Sequence, residues 1–448
     1  MHRIYMDANA TTPLDPEVFA AMRPYMLESF GNASSIHYHG QHARAAVEHA
    51  RESVAAMLHC RPAEIVFTSG GTEGDNLAIF GLIQPGDHLI TSAIEHHAVL
   101  HAAERLAERG IEVTFLPVDS NCLIDPGDLR RALKPNTKLI SIMMANNETG
   151  SIQPVEEIGK IAAEADVYFH TDAVQAAGKL PIDVKQIGCD LLAIAGHKMY
   201  APQGVGALYV RRGTQLEPLF FGGAHERQRR AGTENVAGIV GLGKAAELAK
   251  AAVSGQEKNC HPERSREAAQ SKDLQFASNS TNVSSNGSEQ TRVPHPSALS
   301  AEGWEEQNSG LPRPEGTPDL TRIQHLRNKL EQGLLNRRPN TGVNAGQAPR
   351  VPNTTNLYFD HLEGEALVIA LDLKGLAVSG GSACASGATE PSHVLTAMGL
   401  SPERARASLR FSLTRYTTEE EIDRALEIVA AAVTRLREIS PVYAGTLG

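Results

Sequence analysis

Short apolar runs alternate with amphipathic helical patterns from about Glu64 to Leu208. EIVFT leads into a glycine-rich turn, HLITS leads into the helix-like HAVLHAAERLAERG, and VTFLPV, KLISIMM, VYFHTDA, LLAIAGHK and GALYVRR follow. Runs of this length between helices predict a largely parallel sheet covered on both faces, hence an α/β fold. The pattern stops at Ser254–Leu320, a tract rich in Ser, Asn, Gly, Pro and Glu with little periodicity. Such a composition buries too little apolar surface to offset ordering entropy, so disorder is expected there. The tract separates two helical patterns, GIVGLGKAAELAKAAV and TRIQHLRNKLEQGLLNR, and reads as an insertion between helices. After it, TTNLYFDHLEGEALVIALDLKGLAVSG and RASLRFSLTRYTTEEEIDRALEIVAAAVTRL mix strands and helices in an α+β order. The expected division is an N-terminal segment (1–14) joining the small domain or the cleft, a large domain (15–253), the insertion (254–320) and a small domain (321–448).

Composition narrows the function classes. A net charge of −10 over 448 residues argues against nucleic acid as the main partner. No apolar run reaches membrane-spanning length, and MHRIYMDANATT has neither the basic start nor the apolar core of a secretory signal. Five scattered cysteines, an odd number, do not form a disulfide framework, so a reducing, cytoplasmic setting is expected. His37, His39 and His42 have no companion cysteine, and no metal site is expected.

Three stretches offer chemistry. FTSGGTEGDNLAI passes through Gly71 and Thr72 into a helical pattern. Small residues at a helix start leave N–H groups and the positive dipole end outward, which suits a phosphate, although a plain βα turn has the same look. FHTDAVQAAGK places Asp172 and Gln175 after an apolar run, where ligands of open α/β sheets bind; a capping Asp beside a surface Gln is the plainer reading. AIAGHKMYAPQG places His197 and Lys198 after another such run, where a desolvated lysine suits Schiff-base chemistry. In SGGSACASGATEPSHVL, Cys384 stands among small residues that leave the backbone free, although taken by itself the stretch reads as a buried filler cysteine.

A phosphate turn, a strand-end acid and a strand-end lysine, in that order and followed by a smaller domain, are the layout of fold-type-I enzymes of pyridoxal 5′-phosphate (PLP). With DANATTPLDPEV, GNASSIHYHG, EHHAVL, NNETGSIQP, GHKMYAPQGVGALYVRR, RRAGTEN and RFSLTRYTTEEEID, the sequence resembles the cysteine desulfurases of the class V aminotransferase family, of the iron–sulfur cluster assembly and nitrogen-fixation type. The matches run in order over nearly all the chain outside Ser254–Leu320. The resemblance implies a homodimeric, PLP-dependent enzyme that converts L-cysteine to L-alanine and leaves a persulfide on Cys384 for a sulfur acceptor such as an iron–sulfur scaffold protein. By the same resemblance Lys198 carries the cofactor and moves the Cα proton, Asp172 holds the ring nitrogen, and Gln175 binds the ring's phenolic oxygen. His96 stacks on the ring as an acid/base group, and Gly71, Thr72 and His197 hold the phosphate, with Thr233 reaching in from the other subunit. Asn147 and Arg410 take the substrate carboxylate.

The chain departs from the family pattern at Ala195, where Ser is usual, at Ala224 and His225, where Gly and Gln are usual, and at Thr414, where Gly is usual. None of these removes a catalytic group. A selenocysteine lyase, an aminotransferase or an inactive sulfur-relay homologue are the alternative readings.

Overall fold

The computed structural model describes residues 3–260, 320–380 and 391–439, with backbone alone for 255–260. The chain enters through β1 (Ile4–Tyr5) and folds α1 (Pro16–Leu27) and α2 (Tyr38–Met57). Local chemistry sets both helix starts. Asp15 accepts from Glu17 N at 2.7 Å with Pro16 at the first helical position, and His37 Nδ1 accepts from Gly40 N at 3.3 Å.

The central sheet contains β2 (Ile65–Thr68), β3 (His88–Ser92), β4 (Glu112–Leu116), β5 (Thr137–Ser141), β6 (Tyr168–Asp172), β7 (Leu191–Ala195) and β8 (Gly206–Val210). Its spatial order is β2-β8-β7-β6-β5-β3-β4. The neighbours from β7 to β4 are parallel, whereas β8 runs antiparallel to both β7 and β2. Successive strand residues point to opposite faces. Leu89, Leu139 and Leu191 accordingly join the core formed with α3 (Gly71–Phe80) and α4 (His97–Glu108), while Ile90, Ile140 and Leu192 join the core on the other face. Burying both faces explains why these strands read as apolar runs without alternation. Each fully buried Leu or Ile contributes roughly 1.5–3 kcal/mol.

A second sheet of order β12-β13-β10-β9 is built from β9 (Thr341–Val343), β10 (Thr354–Phe359), β12 (Ser379–Gly380) and β13 (Ser408–Ser412). Helices Leu320–Arg337 and Glu419–Ile439 pack against each other and form one core with it, through Leu326, Leu330 and Leu334 of the first and Leu426, Val429 and Val433 of the second. β1 pairs in parallel with β11 (Leu376–Ala377), and Asp7 bridges to Ser412, so the N-terminal segment lies along this second sheet. The helix beginning at Val236 continues to Cys260, beyond the boundary expected at residue 253. Most of the expected insertion lies outside the described residues.

One buried ion pair fixes the loop that leads to Thr233. Arg51 of α2 donates to Glu226 from Nη1 at 2.7 Å and from Nη2 at 2.8 Å, and Glu226 also accepts from Phe67 N at 3.0 Å. Glu226, Arg227 and Gln228 all have positive φ, at 44°, 57° and 65°, a strained backbone for non-glycine residues that this pair holds in place. Glu226→Ala leaves buried Arg51 with only the half-exposed Glu48 as a carboxylate partner, through Nε, and should lower the unfolding free energy by about 3–5 kcal/mol in urea titrations. The double change Arg51→Met with Glu226→Leu should recover much of that loss. A cost for Glu226→Ala below about 1 kcal/mol, the level of a surface pair, would show that the pair does not hold the loop.

Candidate active site

The carboxyl ends of β6 and β7, the start of α3 and the N-terminal segment enclose a cleft of about 320 Å³. Lys198 follows β7 on a short 3₁₀ turn, and its Nζ donates to Asn9 O at 2.5 Å and Ala10 O at 2.6 Å. Asp172 ends β6, is buried and accepts from Val174 N at 2.8 Å. Burial pushes its carboxyl up to about 6, while the Val174 hydrogen bond and the Lys198 charge act in the direction of ionisation. Gln175 donates from Nε2 to Asn9 O at 3.0 Å and accepts at Oε1 from Lys179 Nζ at 2.8 Å.

Gly71 and Thr72 open α3 with no side chain capping the helix, so its N-terminal N–H groups are presented to the cleft. A Cβ at Gly71 would lie 2.6 Å from Val174 Cγ2, so the helix approaches the loop after β6 as closely as only glycine permits. His197 lies beside this turn, with Nδ1 3.3 Å from Thr11 Oγ1. His96 caps α4, its Nδ1 accepting from Ala98 N at 3.1 Å, which leaves the ring proton on Nε2. Burial, then the charge of Lys198 and of His97, His393 and His101, lowers the His96 imidazole to about 4. Burial followed by Lys198 and Lys179 lowers His197 to about 4 as well. Both rings are neutral at pH 7.

At the other side of the cleft Arg410, on β13, donates from Nη1 to Asn147 O at 3.0 Å and from Nη2 to Asp7 Oδ1 at 2.8 Å. Arg410 Nε and Asn147 Oδ1 are buried with no hydrogen-bond partner. Polar atoms left in this state are expected where a ligand completes them.

Of the residues singled out in the sequence, Gly71, Thr72, His96, Asn147, Asp172, Gln175, His197, Lys198 and Arg410 line this one cleft. Thr233 does not line it and is exposed. Cys384 lies outside the described residues. The described residues flanking it in sequence approach the cleft from two sides. Ser379 pairs with Arg410 in the second sheet, while Ser392 Oγ donates to Glu148 at 2.6 Å and His393 Nε2 to Glu95 O at 2.9 Å. Ala195 lines the cleft without a hydroxyl to offer.

Sequence reasoning missed Asn9, Ala10, Asp75 and Lys179. Asp75 lines the cleft one helical turn beyond Thr72, a spacing that could have revealed it. It is buried, with Oδ1 unpartnered and 3.5 Å from His170 Nε2. Burial, with Asp172 and Glu95 nearby, holds its carboxyl well above the usual carboxylate range. Asn9 had no such signal, because only the pairing of the N-terminal segment with the second sheet brings its carbonyl to Lys198.

The family described as aminotransferase class-V matches residues 4–293 and 318–425. A cysteine desulfurase IscS of Dictyoglomus turgidum is 42% identical over 442 residues, covering 98% of this chain and 96% of that protein. Another, from Methanosarcina thermophila, is 45% identical over 443 residues, covering 98% of this chain and 94% of that one. Among solved structures, a NifS-like protein superposes with a TM-score of 0.76 at 31% identity, covering 97% of this chain and all (100%) of that one. Another, SspA in complex with cysteine, gives a TM-score of 0.68 at 33% identity over 93% of this chain and 100% of its own. With matches of this extent, and a cleft where a strand-end lysine meets a strand-end acid, the chain belongs to the class-V aminotransferase family, in its cysteine desulfurase branch.

Proposed function

We propose that this protein is a PLP-dependent cysteine desulfurase that converts L-cysteine to L-alanine and holds the sulfur as a persulfide on Cys384, for transfer to an acceptor such as an iron–sulfur scaffold protein. The observation that carries the reading is the convergence of Lys198, the buried Asp172 carboxyl and the uncapped N-terminus of α3 on a single cleft. That donor set fits PLP: a helix N-terminus for phosphate, a buried carboxylate for a protonated ring nitrogen, and a lysine amine. The unpartnered Arg410 Nε and Asn147 Oδ1 fit a substrate carboxylate and amine beside it.

When bound, PLP supplies a protonated ring that accepts the electron pair left at the substrate Cα. Gly71, Thr72 and His197 hold the phosphate, and Asp172 holds the ring N–H. Gln175 Nε2 donates to the ring oxygen. Arg410 orients the substrate carboxylate, with Asn147 beside it, and Lys198 Nζ removes the Cα proton. His96, neutral and with its proton on Nε2, covers the ring and donates or accepts a proton at that atom. The Cys384 thiolate attacks the substrate sulfur: an S–S bond forms, the C–S bond breaks, and the carbon takes a proton to leave as alanine. One thiol and L-cysteine thus give one persulfide and L-alanine, and no external oxidant enters.

The reading includes a homodimer. Phe30, Ile36, Tyr38 and Phe221 are exposed at 75%, 93%, 78% and 89%, an apolar surface suited to a second copy whose Thr233 would reach the phosphate. It also places the enzyme in the reducing cytoplasm, in keeping with the free thiols Cys60, Cys122 and Cys189. Among the described residues no helix is long and apolar enough to cross a membrane.

The first test is alanine release from L-cysteine with a thiol reductant. The PLP-loaded wild type should form alanine and Cys384→Ser almost none; equal rates would move the reaction to a mechanism without Cys384. Release from selenocysteine alone, or transamination of a keto acid, would favour the other fold-type-I activities. PLP affinity should also depend on pH through Asp172. Its carboxyl is raised to about 6, so affinity measured by equilibrium dialysis should fall as pH drops through 6 and the ring nitrogen loses its counter-charge. Asp172→Asn should bind weakly and remove that pH dependence; an unchanged profile would exclude Asp172 as the partner. Finally, Ile36→Asp with Phe221→Asp should shift the mass in sedimentation equilibrium from dimer to monomer. A wild type already monomeric at micromolar concentration would refute the dimer.

A further inference from the structure

Lys179 is buried one turn beyond Gln175 and takes no part in the chemistry above. Burial, with the charges of Lys198 and Arg410, lowers its ammonium to about 7. Among the described residues no salt bridge joins it to a carboxylate; its hydrogen bond is the 2.8 Å contact to Gln175 Oε1. A buried lysine without an acid is costly, and its placement calls for another reason.

The contact has a directional consequence. In its ammonium form, which predominates below about pH 7, Lys179 offers donors and no acceptor, so the group of Gln175 that faces it is the carbonyl oxygen. The Gln175 NH₂ therefore faces the opposite way, where Nε2 donates to Asn9 O at 3.0 Å, the same carbonyl that accepts from Lys198 Nζ at 2.5 Å. A line of polar contacts thus runs from Lys179 through Gln175 and Asn9 to Lys198. An amide has nearly the same shape when its O and N are exchanged, so sterics alone would not select between the two orientations; Asn9 O on one side and Lys179 Nζ on the other select it together.

We propose that Lys179 is a positioning residue that locks the Gln175 amide with its NH₂ toward the cleft, so that an anionic ring oxygen there meets a donor rather than a lone pair. This rests on the reading that PLP occupies the cleft.

Apoprotein is titrated with PLP by equilibrium dialysis, and the visible absorption of the bound cofactor is followed against pH. If the wild type binds no PLP, the reading of the cleft fails and this inference with it. If it does bind, Lys179→Met should weaken PLP by about tenfold, the cost of a charge-assisted hydrogen bond. The same change should move the pH midpoint of the visible band upward, because a positive neighbour that favours the deprotonated form is gone. Lys179→Arg restores a donor-only group beside a cavity of about 40 Å³ that Lys179 and Lys198 line, and should recover most of the affinity. In a Gln175→Ala background Lys179→Met should add no further loss, whereas a merely structural lysine would cost the same in both backgrounds. Should Lys179→Met fail to fold, Gln175→Glu decides with Lys179 intact, since its carboxylate can present only lone pairs to the cleft. It should bind PLP about tenfold more weakly than Gln175→Met. Unchanged affinity and absorbance in Lys179→Met, additive losses with Gln175→Ala, or equal affinity in Gln175→Glu and Gln175→Met would overturn the proposal.

Discussion

The backbone carbonyl of Asn9 is the acceptor on which the site's arrangement depends. It receives Lys198 Nζ from the end of β7 and Gln175 Nε2 from the loop after β6. Its own position comes from the second sheet: Asn9 N donates to Ser412 Oγ at 2.9 Å, and Asn9 Nδ2 donates to Thr354 Oγ1 at 2.9 Å and to Asn147 O at 3.1 Å. A short segment of extended backbone therefore links the lysine and the glutamine of the large sheet to Thr354 and Ser412 of the small one, beside Arg410. Arg415, paired with Asp15 at the start of α1, makes a second tie between the same parts. If the segment moved, the amine, the amide and Arg410 would lose their common reference.

Desolvation then sets the charges. The buried carboxyls Asp75 and Asp172 line the cleft and Glu95 lies behind them, and burial raises all three, Glu95 to about 8. His170, beneath Asp172 on the same strand, is lowered to about 3 by burial. Burial opposes charge throughout this layer, and of the three carboxyls Asp172 is the one on which the Lys198 charge acts to favour ionisation. The pattern suits a site that must bind one protonated ring without attracting further cations.

The positions of the strands are legible in the pattern of apolar residues. LLAIA is β7, because a strand buried on both faces is apolar at nearly every position, whereas HLITS, β3, keeps that pattern only at Leu89 and Ile90 and satisfies its buried His88, Thr91 and Ser92 by hydrogen bonds. The antiparallel placement of β8 between β2 and β7 is not legible in the same way, since an apolar pentapeptide fits either direction. Asp172, Gln175 and Lys198 stand out because each follows an apolar run, and strand ends are where such sheets bind ligands. Asp75 is within reach of the helical spacing from Thr72, whereas Lys179 is hidden because a lysine in a loop ordinarily faces water.

The sequence by itself determined the kinds of element, the order of chemical groups along them, and the motifs that mark the family. Tertiary structure alone decided which of those groups meet. Asn9 and Lys198 are far apart in the chain, and only the pairing of β1 with β11 and of Asp7 with Ser412 brings them into hydrogen-bond contact. The same holds for the shifted acids and imidazoles. A side chain's charge state depends on how much water it loses and which charges it faces, and neither is a property of its neighbours in sequence.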